Sequence, residues 1–301
     1  MEPAHDPVGV LALGNIAYPS MRTAWYYGFM NNLLLTQKSF TTSDAVVQYW
    51  TNGNVGKPAV FFMHGAAMDH KMFDSQYAAL NESYYIIAWD ARGHGQSRPV
   101  QGKIGLHDLA QDCLGILDDL HISQVILLGQ SEGGMIAQEV YRLQPSRVMA
   151  MVTIGASPIM LSYAKSDIWL LKCSTSIIKL WPYAHFMNAL ALKTALKKDV
   201  QQYAMQTVKN ISKKDFLSIW EGVTNVLSYE GIAGMHITVP LLITYGDTDT
   251  TGTVRKNNQR WKAYEPAAEL AVIPNAGHNA NQDNPQFFNE LVTAFLGKIR
   301  P

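Results

Sequence analysis

The stretch Val125-Ile126-Leu127-Leu128-Gly129-Gln130-Ser131-Glu132-Gly133-Gly134-Met135 decides how the rest of this chain is read. Its four leading apolar residues show no polar alternation, the pattern of a strand buried on both faces. From Met135 the run Met-Ile-Ala-Gln-Glu-Val-Tyr141 is helical in pattern. Between them stands a G-x-S-x-G, in the context that a nucleophile elbow requires. The turn is tight enough that glycine must sit where a side chain would clash. The serine is pushed out above the sheet edge, at a helix N-terminus that favours a developing negative charge.

Similar apolar runs occur on both sides of this elbow: Ala59–Met63, residues 85–89, Val148–Ile154, residues 241–244 and residues 270–273. Helix-length segments separate them. In residues 106–120, for example, Leu109, Cys113, Ile116, Leu117 and Leu120 recur at three- and four-residue steps. The alternation predicts an α/β protein with a doubly wound, mostly parallel sheet. It breaks after Ile154. Residues 157–236 offer no convincing strand but are helical in pattern and rich in aromatics and Met, including Trp169, Trp181, Phe186 and Trp220. An insertion between strands of a continuing sheet reads as a helical cap. The expected division is therefore an N-terminal extension at 1–39, a core at 40–156 and 237–301, and a cap at 157–236.

A serine hydroxyl needs a general base. Among the nine histidines, His278 follows the last strand run and precedes the final helical segment Pro285–Leu296, so its loop can reach across the carboxyl edge of the sheet. The base needs a carboxylate to fix its tautomer. Strand run 241–244 ends in Tyr245-Gly246-Asp247-Thr248-Asp249, which supplies two candidates in the chain order Ser, Asp, His. An oxyanion hole needs two backbone N–H donors. Glu132, after the nucleophile, offers one. Ala66, in the loop Met63-His64-Gly65-Ala66-Ala67, offers the other, with His64 tying the loop down.

With the His64-Gly65 loop, Asp90-Ala-Arg-Gly-His-Gly-Gln-Ser97, the elbow, Gly246-Asp-Thr-Asp249 and Gly277-His278 on the page, the chain from about Phe40 to its C-terminus resembles a cap-bearing α/β-hydrolase. The resemblance implies an esterase- or lactonase-like serine hydrolase. It favours Asp249 over Asp247 as the acid, because the family's acid usually lies three residues after the turn glycine. It also implies a structural role for Asp90, Arg92 and His94. Two features depart from the pattern: Glu132, where such enzymes often carry an uncharged residue, and the N-terminal extension. A charged Glu132 would oppose an oxyanion, so its side chain must be paired, protonated, turned away or in contact with substrate.

Composition narrows the partners. The 301 residues carry 24 basic and 24 acidic side chains, with no basic block to attract nucleic acid or anionic lipid. Cys113 and Cys173 lack neighbours at metal-ligand spacing, which reads as two free thiols and no metal site. No export signal is visible, and a cytoplasmic location is the expectation. Residues 18–35 crowd Trp25, Tyr26, Tyr27, Phe29 and Met30 together, as a helix packed on the body or, alternatively, an interfacial anchor.

The leading reading is hydrolysis of a small-molecule ester, thioester or lactone with an apolar acyl or alkyl part, through Ser131, His278 and Asp249 and without a cofactor. Met68, Met72, Trp169, Trp181 and Phe186 are the expected substrate contacts. Carbon–carbon bond hydrolysis, acyl transfer or perhydrolysis could use the same triad, since fold does not fix reaction. A receptor that keeps the fold but acts through binding is the reading from another class. Dehalogenase and epoxide hydrolase chemistry is disfavoured, because those relatives place Asp where this chain has Ser131.

Overall fold

The computed structural model describes residues 35–98, 104–226 and 232–299. The expected helix or anchor at residues 18–35 lies, except for Leu35, outside the described residues. Eight strands form one sheet in the order β1-β2-β4-β3-β5-β6-β7-β8. β1 (Thr36–Thr41) pairs antiparallel with β2 (Val46–Thr51), and β2 pairs antiparallel with β4 (Tyr85–Asp90). The remaining strands, β3 (Ala59–Met63), β5 (Val125–Gln130), β6 (Val148–Ile154), β7 (Leu241–Gly246) and β8 (Glu269–Ile273), extend the sheet in parallel. Every residue of β3, β4, β5 and β7 is buried, as apolar runs covered on both faces require.

The expected boundary at Phe40 falls inside β1. That strand is an edge strand whose six residues are almost all exposed, so its polar sequence carries no burial signal. Only Phe40 reaches inward, against Gly115 of helix α2. Helices α1 (Asp74–Leu80), α2 (Leu106–Asp119), α3 (Glu132–Leu143), α8 (Val254–Tyr264), α9 (Ala280–Asp283) and α10 (Pro285–Leu296) belong to the strand-bearing part of the chain.

Between β6 and β7 the described residues form four longer helices and no strand. These are α4 (Lys165–Leu180), α5 (Tyr183–Thr194), α6 (Lys198–Lys209) and α7 (Lys213–Val226). An aromatic cluster packs α5 on α7. The Phe186 and Phe216 rings meet edge to face at 5.2 Å, and Phe216 stacks on Trp220 at 6.3 Å. Aromatic pairs of this geometry add about 0.5–1.5 kcal/mol beyond the area they bury.

Candidate active site

Ser131 joins β5 to α3 with φ 50° and ψ −112°, a backbone conformation that a residue bearing a side chain adopts only under constraint. The surroundings supply that constraint. The Ser131 N–H donates to the Ile154 carbonyl at 2.8 Å, and the Ser131 carbonyl accepts from Gly134 and Met135. A Cβ at Gly133 would run into the carbonyl oxygens of Met63 and His64, so only glycine lets α3 pack this closely on β3. The glycines of the motif thus fix where the serine stands.

His278 lies on the loop between β8 and α9. Its Nδ1 is 2.8 Å from Asp249 Oδ2, and both side chains are buried. The Asp249 carboxyl is pushed up by burial. It is pulled down more strongly by the His278 charge, the His278 hydrogen bond and the Thr251 N–H, and ends below the ordinary aspartate value. Asp247 faces elsewhere. Its two oxygens accept the N–H groups of Asn275 and Ala276 at 3.0 Å, which closes the turn ahead of His278.

Three residues bring the serine and histidine loops together, and none was evident from sequence. Gln130, beside the serine, donates from Nε2 to the His278 carbonyl at 3.1 Å. Gly155 follows the strand end that holds Ser131. It has φ 57°, and a Cβ there would stand 3.0 Å from His278 Nδ1 and 3.4 Å from Asp249 Oδ2. Asp283 accepts the Gly277 N–H at 2.8 Å and also the N–H groups of Leu196 and Lys197, which binds the end of α5 to the histidine loop. The Asn279 N–H adds a bond to the Thr194 carbonyl at 2.8 Å.

The loop after β3 is held as the sequence suggests. His64 Nδ1 donates to the Gly65 carbonyl, and its Nε2 accepts the Ala91 N–H, both at 2.9 Å. Ala67 beside them adopts φ 64°. Among the described residues, neither the Ala66 N–H nor the Glu132 N–H is spent on another acceptor. The Asp90 to Ser97 segment is likewise internally tied. Asp90 Oδ1 accepts from the His70 N–H at 2.8 Å, and Arg92 grips Asp112 through two bonds of 2.6 and 2.7 Å.

The Glu132 side chain lies in an apolar setting with Leu106, Leu109, Met135, Gly222, Val223 and Val226. Burial there pushes its carboxyl up to about 8, so it is protonated at neutral pH. The His94 ring points Nε2 at Glu132 Oε2 from 3.7 Å. His94 Nδ1 donates to the Arg92 carbonyl, and burial drives the ring's pKa down to about 3. The pair is therefore a neutral acid facing a neutral imidazole. This removes the electrostatic conflict that a charged Glu132 would create.

The expected substrate contacts separate. Met68 is buried at the seam between cap and histidine loop, with its sulfur 3.7 Å from Thr207 Oγ1 of α6 and 3.9 Å from Asn279 Nδ2. Met72 is a core residue whose carbonyl accepts from Asn281. Phe186 lies in the aromatic cluster of the cap. Trp169 and Trp181 point outward, 64% and 42% exposed, and their sequence pattern could not say which side of a helix they occupy.

A sheet with one antiparallel edge, helices on its faces and a nucleophile elbow at a central strand define an α/β-hydrolase. The family model for serine aminopeptidase, S33, matches residues 56–285, and the chain belongs to this family of serine hydrolases. It is similar to 3-oxoadipate enol-lactonase 1 of Acinetobacter baylyi, at 24% identity over 90% of this chain and 99% of that protein. A hydrolase from Pseudomonas aeruginosa superposes with a TM-score of 0.76 at 22% identity, covering 87% of this chain and 98% of the other. The enol-lactonase of Burkholderia xenovorans gives a TM-score of 0.73 at 18% identity, covering 87% and 100%.

Proposed function

We propose that the protein hydrolyses a carboxylic ester, thioester or lactone by way of an acyl-enzyme. Ser131 Oγ attacks the carbonyl carbon while His278 Nε2 takes its proton, and Asp249 holds the imidazole through Nδ1. The N–H groups of Ala66 and Glu132 receive the oxyanion. His278 then returns the proton to the departing alkoxide, thiolate or ring oxygen. Water, deprotonated by the same histidine, releases the acid.

The observation that carries this reading is the 2.8 Å contact of His278 with Asp249, held against the strand end that fixes Ser131 in its constrained turn. An ester or lactone substrate is also what the enol-lactonase relative suggests. The uncharged state of Glu132 supports the oxyanion assignment, because the donor residue adds no negative charge of its own.

The test is a substrate panel of aryl esters of graded acyl length, thioesters, γ- and δ-lactones and aminoacyl amides, run beside a peracid-formation assay. Ester or lactone turnover far above the others is expected. Amide turnover at comparable rates would replace this reading with a peptidase, and a single acylation event without turnover would favour a receptor.

A further inference from the structure

Large hydrophobic side chains are exposed at nine positions among the described residues, and seven of these lie between residues 169 and 196 of the cap. On α4 the arrangement is regular. Ile178 is buried and points inward, on the side where the Trp220 Nε1 donates to Ser174 Oγ at 2.8 Å and ties α4 to α7. On the opposite side Trp169, Leu170, Ile177 and Leu180 fall within an arc of roughly 100° of the helix, with Leu180 87% exposed. Trp181 continues this edge at the corner into α5.

The charge around the stripe is not balanced. Lys165, Lys172 and Lys179 recur every seven residues, which places them in a row along one border of the apolar arc, and all three are exposed. Lys179 also reaches Glu221 at 3.4 Å in a solvent-exposed pair. The single acid of α4, Asp167, lies toward the inward side. Residues 157–236 carry nine lysines against five acidic residues, in a chain whose total is neutral.

We infer that the outer face of α4, with the Trp181 corner, docks on an anionic lipid–water surface. Leucine and isoleucine supply apolar area to the acyl region, tryptophan rings sit at its boundary, and the lysine row meets the headgroups. A second copy packed antiparallel on the same face would set the two lysine rows side by side at the cost of repulsion. No helix among the described residues is long and apolar enough to cross a membrane, so α4 lies in the plane of the surface.

The experiment is flotation of the full chain with vesicles of phosphatidylcholine alone and with 30% phosphatidylglycerol, at low and high salt. Binding should be at least tenfold tighter to the anionic vesicles and weaken with salt. The double variant Trp169→Gln, Leu180→Asp should lose binding at least tenfold while its melting temperature and short-ester turnover stay unchanged. Lys172→Glu should lower anionic-vesicle affinity about fivefold or more, since each surface lysine contributes about 1 kcal/mol. No vesicle binding by the full chain overturns the inference. So does binding that survives in the double variant, which assigns it to another surface. A dimer by light scattering that becomes monomeric in the double variant would assign the face to self-association and overturn it as well.

Discussion

Glu132 Oε2 stands 3.7 Å from His94 Nε2, and among the described residues neither atom has a hydrogen-bond partner. The separation exceeds a normal hydrogen bond, so the pair is a neutral acid and a neutral base facing each other, both buried. Their titrations affect stability in opposite directions. Glu132 ionises near 4.5 when unfolded and near about 8 when folded. Between these values the folded chain keeps a proton that the unfolded chain has released, so stability falls as pH rises, by at most about 1.4 kcal/mol per unit. His94 binds its proton near 6.5 when unfolded and only near about 3 when folded, so it makes stability rise with pH up to about 6.5.

The two slopes therefore cancel over about pH 4.5–6.5, and the glutamate contribution stands alone from about 6.5 to 8. Glu132→Gln should abolish that decline, so its advantage over wild type should grow between pH 4.5 and 8 and then level off. Turnover should stay within a few-fold of wild type at pH 7, since the N–H proposed to receive the oxyanion is retained. Urea titrations across this range measure the difference. Parallel stability curves for the two proteins would show that Glu132 is ionised in the folded state.

Asp249→Asn should lower turnover by about 10⁴-fold, because an amide in place of the carboxylate leaves the His278 tautomer wrong and the imidazolium unsupported. Asp247→Asn should leave kcat within about tenfold and act mainly on stability, since its carboxylate accepts the Asn275 and Ala276 N–H groups and, among the described residues, makes no bond to His278. Steady-state kinetics beside thermal melts separates the two, and the reverse ranking would exchange their roles.

Asp283→Ala should couple a loss of stability to a loss of kcat. The substitution strips the acceptor from the buried N–H of Gly277, at a cost of about 1–3 kcal/mol if left unsatisfied, and from the part-buried N–H groups of Leu196 and Lys197. The histidine loop and the end of α5 should loosen together. Hydrogen exchange at residues 194–197 and 277–279 reads this directly. Faster exchange in one segment with the other unchanged would show that Asp283 does not join them.

What could be read from sequence depended on how local its cause was. β3, β6 and α10 begin and end where their apolar patterns do. The elbow was legible because glycine spacing, a strand and a helix all fall within residues 125–141. β1 was missed because an exposed edge strand has no burial pattern. Gln130, Gly155 and Asp283 were missed because their contacts join segments far apart in the chain, such as Gln130 and His278. In the cap, composition reveals aromatic content but not direction, and Trp169 and Trp181, expected beside substrate, face outward. Met68, an inconspicuous residue in a Gly-Ala loop, is the expected contact that the fold sets beside the histidine loop.

The central claim is that Ser131 carries the acyl group, and a serine-directed fluorophosphonate probe tests it most directly. The wild-type chain should be labelled at one site, with the adduct on the peptide containing Ser131 and ester turnover lost in proportion. Ser131→Ala should take up no label, melt as wild type does, and retain on the order of 10⁻⁶ of wild-type kcat. A folded Ser131→Ala variant that is still labelled, or that turns over esters at near wild-type rate, would contradict the account.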